Sequence, residues 1–320
     1  MDLIYTDANR IDQGALKAYA FDLSFGATEN DFEVTLDVDH TLESGAFVYI
    51  EGSEYGGIVD GLKTSTDSKT ITHMGRTWHG VMNSKVIEPD SGADYLIVSG
   101  DANEILGFLI DRLGLEGLFT ASDEASGITV KNYQFDRYIL GYDGIKKMLT
   151  AYGAKLIITW ENRSVKLSAA PIVDYSRDPV DDDSAILSVE KYDKKVNHLI
   201  CLGKGELAER TVIHLYVDQF GRIGDSQYYT GIEEVTDTYD LSNAEDAETL
   251  RSKGIEQLKK LRNNDKAEIS VSESVEQSYD IGDIVGASEM KSGVSVAAPV
   301  SQKIVRIKNG VISTEYQTGG

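Results

Sequence analysis

The chain has one cysteine, four prolines, five histidines and two tryptophans among 320 residues. A single cysteine, Cys201, excludes an internal disulfide and any zinc cluster built on thiolates. Five histidines leave little for metal ligation or base chemistry. No run of about 18 apolar residues occurs, so neither a transmembrane helix nor membrane insertion is expected. The opening MDLIYTDANR has an acidic second residue and lacks the apolar stretch of a secretion signal. Cations are the scarcer charge: 31 Lys+Arg against 53 Asp+Glu give a formal net charge of −22. Gripping a phosphate backbone needs clustered Lys and Arg, so stable nucleic-acid binding is not expected. An acidic surplus otherwise serves solubility. Composition alone does not choose between that and a surface that must not stick to nucleic acid. The 41% hydrophobic share suffices for packed cores and excludes a disordered chain.

Residues 1–89 read as strands. FDLSFG, DFEVTLDV, GAFVYIEG, YGGIVDGLKT, KTITHMGR and GVMNSKVI are alternating or β-branched runs punctuated by Gly, Asp, Asn and Ser. Phe32, Val34, Leu36 and Val38 fall on one face, with Glu33, Thr35 and Asp37 on the other. That period of two marks a half-buried antiparallel strand. The spacing predicts a first small β-barrel module.

Pro89–Gly92 breaks the pattern. Asp101 then precedes a helical face of Ile105, Leu106, Leu109, Ile110 and Leu113, with Glu104 in capping-box spacing and Gly114 to close it. A second helix is expected over Asp143–Tyr152, with Ile145, Met148, Leu149 and Tyr152 inward. KLIITWENRSVKLSA reads as a hairpin turning at Glu161-Asn162-Arg163. Residues 90–180 therefore form an α+β module. The stretch 171–186, with Pro171, Pro179 and the block Asp181–Asp183, reads as a linker or exposed loop.

Residues 181–320 read as a second β-barrel module. Its strands include AILSVEKYD, VNHLICLGKG and RTVIHLYVD, with a turn at Gln219–Arg222. A long helix is expected over Ser242–Arg262, capped by Ser242 with Glu245 at its third position. Ala247, Leu250, Gly254, Leu258 and Leu261 form its apolar stripe. AEISVSESV, SYDIGDIVGA and a hairpin at Asn309-Gly310 complete the module. The fold class is thus mainly β with an α+β insert: two small β-barrel, tube-like modules, a mixed α/β module and one long helix.

Motifs for chemistry are weak. Gly203-Lys204-Gly205-Glu206 leads toward a strand, so it reads as a hairpin turn and not a phosphate loop. His198, Cys201 and His214 lie close in sequence, but Cys201 between Ile200 and Leu202 reads as a buried, inert thiol. His73 and His79, an even number apart, would share a strand face, a spacing that matches no known metal signature. Trp78 beside His79 reads as packing. Asp181–Asp183 lacks the spaced ligands of a calcium loop. No G-x-S-x-G, H-E-x-x-H or comparable pattern occurs. No catalytic residue, cofactor or metal is expected, and the chain is not expected to be an enzyme.

Four stretches carry a family resemblance: FDLSFGATENDFEVTLD; YIEGSEYGGIVDGLKTSTDSKTITHMGRTWHGVMNSKVIEPDSG; KKVNHLICLGKGELAERTVIHLYVDQFGRIG; and SYDIGDIVGA. They resemble the hub proteins of contractile phage tails, and most closely those of Gram-positive phages, defective prophages and phage-tail-like bacteriocins. The resemblance implies a structural baseplate hub, three copies of which form a pseudo-sixfold ring joining the tail tube to the central spike. It implies partners in the tube, spike, tape-measure and other baseplate proteins, and a place in a particle built in the bacterial cytoplasm. An acidic lumen would let DNA slide without binding. The same stretches mark structural or assembly residues: Gly56, Gly57 and Gly61, expected to shape turns, and Trp78, Gly203, Gly205, Gly282 and Asp283. Two other functions stay open: a tail-associated peptidoglycan hydrolase using paired carboxylates, and a host-surface carbohydrate-binding tail component using Tyr and Trp.

Overall fold

A computed structural model of the chain describes residues 2–177, 186–190, 194–244, 246–262, 266–272, 278–289, 291–308 and 310–319. Asp181–Asp183, Glu245 and Asn309 lie outside them. The chain forms two compact units, residues 1–188 with 267–318, and residues 189–266. Four α-helices are present among the described residues: α1 (Trp78–Asn83), α2 (Ala102–Arg112), α3 (Gly141–Ala151) and α4 (Ala247–Arg262). The mainly-β class with an α+β insert is therefore what the chain has. The strand pairings among the described residues follow an open path and close no ring.

The first unit is built on one large sheet. From one edge it runs Asp12–Leu16, Leu3–Thr6, Phe47–Tyr49, Gly56–Lys63, Thr70–Thr77, Asp31–Asp37 and Ala20–Gly26. It continues through Val294–Lys308 and Val311–Thr318. The alternation read in Asp31–Asp37 holds: Phe32, Val34 and Leu36 are buried while Asp31, Glu33 and Asp37 are exposed. The same period buries Phe21, Leu23 and Phe25 from one neighbour and Val305 and Ile307 from another, giving one continuous apolar face. The hairpin of Val294–Lys308 and Val311–Thr318 forms as expected, with Lys308 opposite Val311, but it joins the first unit's sheet beside Ala20–Gly26 and is not part of a second module. Gly310 at φ +83° supplies a left-handed turn residue.

The insert packs a second core. Asp101 caps α2 by accepting from Asn103 N at 2.9 Å, and Gly114 leaves the helix at φ +64°. The hairpin Ala154–Glu161/Ser164–Pro171 turns at Asn162 and Arg163, both at positive φ. Trp160 from this hairpin stacks on Trp78 at 5.1 Å and lies 4.4 Å from Tyr49. These rings fuse the insert and the sheet's strand ends into one hydrophobic cluster. GVMNSKVI, expected as a strand, is helix in its first half, Gly80–Asn83, and strand only at Val86–Ile87. Thr77 ends the preceding strand and its hydroxyl accepts from Gly80 N at 3.3 Å, which starts α1.

In the second unit, His198–Leu202 pairs antiparallel with Val212–Val217 and parallel with Thr236–Asp240. Leu250, Gly254 and Leu258 of α4 face this sheet. Ala247 of the expected stripe is exposed. The helix starts later than its Ser242 reading: Asp246 accepts from Thr249 N at 2.7 Å and performs the capping. Among the described residues no helix is long and apolar enough to cross a membrane.

Candidate functional site

Three of the marked glycines, expected to shape turns, are not at turns. Gly56, Gly57 and Gly61 all lie within the strand Gly56–Lys63. Sequence reasoning took Gly for chain reversal, whereas two of these serve close approach. A Cβ on Gly56 would sit 2.7 Å from Val48 O and 2.9 Å from the Trp78 indole. A Cβ on Gly57 would press on the Arg76 carbonyl and lie 2.7 Å from the Phe32 ring. Gly61 sits where the register slips by a bulge, with nothing within 4 Å of its would-be Cβ. The expected result is that Gly57→Ala destabilises by about 1–3 kcal/mol. Gly61→Ala should stay within about 0.5 kcal/mol of wild type. Chemical denaturation of both variants checks the contrast.

Gly56 presses on Trp78, which is fully buried at the start of α1. Next to it the sheet carries a polar network inside the core. The Lys303 ammonium lies 2.7 Å from Glu54 Oε1 and faces the rings of Phe25, Tyr55 and Tyr316. Burial pulls the Lys303 pKa down, but Glu54 and the two tyrosine hydroxyls outweigh it, so the pKa is raised. His79 stacks on Phe25 at 4.3 Å, and its Nε2 is 3.7 Å from Glu54 Oε2. Burial first, then Lys303 and Lys146, push His79 down to about 3, so its ring is neutral. His73 does not share a face with His79: it lies in the strand Thr70–Thr77, whereas His79 is in α1. The His73 Nε2 accepts from Leu42 N at 3.2 Å, which makes it a buried structural histidine. Sequence reasoning missed the Glu54–Lys303 pair because 249 residues separate its members. Lys303 follows Gln302 and precedes Ile304, so its neighbours gave no signal of burial.

Gly282 and Asp283 precede the strand Ile284–Glu289. Gly282 holds φ +101°, a turn that admits Asp283 to the interior. The Asp283 carboxylate is buried, meets Lys155 Nζ at 2.7 Å and accepts from Val173 N and Asp280 N. Asp280 also reaches Lys155 at 2.7 Å. The motif thus locks a stretch near residue 280 to the insert's hairpin by a saturated ion pair.

In the second unit, Gly203 and Gly205 both lie at the start of the connection, residues 203–211, that joins His198–Leu202 to its antiparallel partner Val212–Val217. Gly205 holds φ +108° against the backbone of Glu209 and Arg210, and Gly203 faces Leu250 of α4. Cys201 is buried beneath Gly254, and burial raises its thiol pKa. It is an inert core thiol. His198 and His214 do meet, with Nε2 and Nδ1 2.8 Å apart, while His198 Nδ1 is 2.6 Å from Glu234 Oε1. Cys201 lies three residues on and takes no part. Among the described residues no group of three or more His, Cys, Asp or Glu is placed to hold a metal.

Of the marked residues, Gly56, Gly57, Trp78, Gly203 and Asp283 are buried, Gly61 and Gly282 are half-buried and Gly205 is exposed, and they do not converge on a reaction centre. The surface instead carries unmatched charge. Asp22, Glu29, Asp31 and Glu33 line one shallow concavity on the outer face of the large sheet. Burial, then Glu29 and Glu33, raise the Asp31 pKa.

No protein-family model and no curated protein matches the chain. Solved structures do. A prophage MuSo2 43 kDa tail protein from Shewanella oneidensis matches with TM-score 0.62 and 12% identity, covering 99% of this chain and 98% of its own. A tail protein from Neisseria meningitidis matches with TM-score 0.59 and 11% identity, covering 100% and 96%. A chain of the p2 virion baseplate in its activated conformation matches with TM-score 0.54 and 11% identity, covering 99% of both. The likeness is one of fold, and it extends over essentially the whole chain: this protein has the fold of phage tail and baseplate proteins.

Proposed function

We propose that the chain is a structural component of a phage-type tail, and specifically the baseplate hub of a contractile tail. In this reading three copies form a pseudo-sixfold ring that joins the tail tube to the spike and lines the channel. Its neighbours would be the tube, spike, tape-measure and other baseplate proteins. The observation that carries the reading is the end-to-end fold match to a baseplate chain and to two tail proteins. The described cores agree with it: Trp78, Asp283 and the close-packed glycines stabilise, and none is set up for reaction. The acidic surplus suits a channel wall from which DNA slides away. Electron microscopy of particles carrying a tagged chain is the test. Three copies between tube and spike are expected. A chain absent from every particle, or present in a different copy number elsewhere, overturns the hub assignment.

A further inference from the structure

We infer that the C-terminal half of α4, with the neighbouring 218–223 turn, docks against the acidic sheet face of a second copy of this chain. The inference rests on the ring reading above. A ring of identical chains joined head to tail needs two different, complementary patches on each chain. The charge distribution supplies such a pair.

The first patch is cationic. Helix α4 contains five Lys/Arg and two Glu, a net of 5 − 2 = +3. The rest of the chain then carries −22 − 3 = −25. Arg222, Ile223, Ile255, Lys259 and Arg262 line a groove of about 510 Å³ beside this helix. Among the described residues no ion pair engages Lys259 or Lys260, whereas Arg222 is held by Asp218 at 2.7 Å. The helix C-terminus accounts for part of this basic bias, because cations there meet the negative dipole end. It does not account for the aromatic side. Phe220 on the same turn is 71% exposed under the Arg222 guanidinium. Tyr228, hydrogen-bonded to Gln219 at 2.7 Å, is 50% exposed beside it. Exposed Phe and Tyr flanked by Arg and Lys have the composition of a protein-binding hot spot for an acidic partner.

The second patch is acidic, in the concavity of about 650 Å³ on the large sheet. Its two cations are already spent: Arg76 forks onto Asp60 at 2.7 Å and Arg306 pairs with Glu315 at 3.0 Å. Among the described residues no ion pair reaches Asp22, Glu29, Asp31 or Glu33. Asp22 and Glu33 are directly cross-strand, a like-charge pairing, although Arg306 stands opposite Asp22 and Arg76 opposite Asp31 on their other sides. The unmatched acids and the unmatched lysines therefore complement each other in sign, and they lie on different parts of one sequence.

The test uses the full chain, half of it labelled with ¹⁵N, mixed and treated with a zero-length carbodiimide. Mass spectrometry then reads which lysine–carboxylate links join a labelled to an unlabelled copy. Mixed-label links from Lys259 or Lys260 to Asp22, Glu29, Asp31 or Glu33 are expected, with yield falling as salt rises. Lys259→Glu with Lys260→Glu should cut the mixed links at least tenfold. Adding Asp31→Lys and Glu33→Lys to that variant should restore association, which a merely misfolded variant would not do. Links found only within one label, links to other acids, or no mixed links at all would overturn the inference. So would a groove that captures a heparin-type polyanion while forming no mixed links. Particle imaging separates the two claims: a chain that sits in the hub but cross-links elsewhere loses this contact and keeps its function.

Discussion

Lowering the pH from 7 to 4 is expected to remove about 3 kcal/mol of stability from the first unit through His79 alone. The ring is buried between Phe25 and Tyr142, and its folded pKa is held near 3 by burial and by the Lys303 and Lys146 charges. An unfolded histidine titrates near 6.5. Between those values the unfolded chain binds a proton that the folded chain refuses. Stability contributed by the neutral ring is therefore present above about 6.5 and is lost as pH falls toward about 3. His73, also lowered by burial, acts in the same direction. Replacing His79 with Phe keeps the stack on Phe25 and removes the proton site. Denaturant unfolding at pH 7 and pH 4 should show the His79→Phe protein losing about 3 kcal/mol less than wild type between the two. An unchanged difference would mean that carboxylates alone govern acid unfolding.

The second large effect lies 3.7 Å away. Glu54→Ala is expected to cost about 3 kcal/mol, because it strands the Lys303 ammonium among aromatic rings without a counter-charge. The low end of the usual 3–5 kcal/mol range applies, since the Glu54 side chain keeps 19% exposure to water. A paired Glu54→Leu, Lys303→Met protein should recover most of the loss, because a buried ion pair is about as stable as a well-packed apolar pair of similar volume. Thermal unfolding of the three proteins decides it. The pair also predicts an alkaline limit. A raised folded pKa means that the stabilisation by Lys303 is complete below the free lysine value of about 10.4. It fades only as pH climbs through the higher folded value.

The sequence singled out His79 only for its spacing from His73 and left Glu54 and Lys303 unmarked, and the reason is distance along the chain. What was legible was local. The alternation in Asp31–Asp37, the Asp101 cap with its apolar stripe and the turn at Asn162-Arg163 depend on neighbours within about ten residues, so a pattern suffices. The strand reading of GVMNSKVI failed in its first half because Val81, Val86 and Ile87 outweighed one threonine hydroxyl upstream that starts α1. The glycines at 56 and 57 read as turns because sequence shows that a side chain is missing and not what occupies its place. Asp283 was marked through a short motif, yet its partner Lys155 is 128 residues away and no spacing announces it. The surface patches were invisible for another reason: only folding reveals which charges have found partners inside the chain.

The middle of the large sheet has a consequence for how the protein is made. Ala20–Gly26 pairs with Val294–Lys308, and the Gln302 side chain donates to Ser24 Oγ across 278 residues of sequence. At about 5–20 residues per second, a ribosome delivers the second strand roughly 14–56 seconds after the first. Through that interval the edge of Ala20–Gly26 stays unpaired, and Phe21, Leu23 and Phe25 lack the cover of Val305 and Ile307. Nascent chains on one message are therefore vulnerable to pairing with each other. A product cut short before residue 294 cannot complete the sheet. Translation thus acts as a gate: only chains carried past this strand acquire the surface on which a particle could be built.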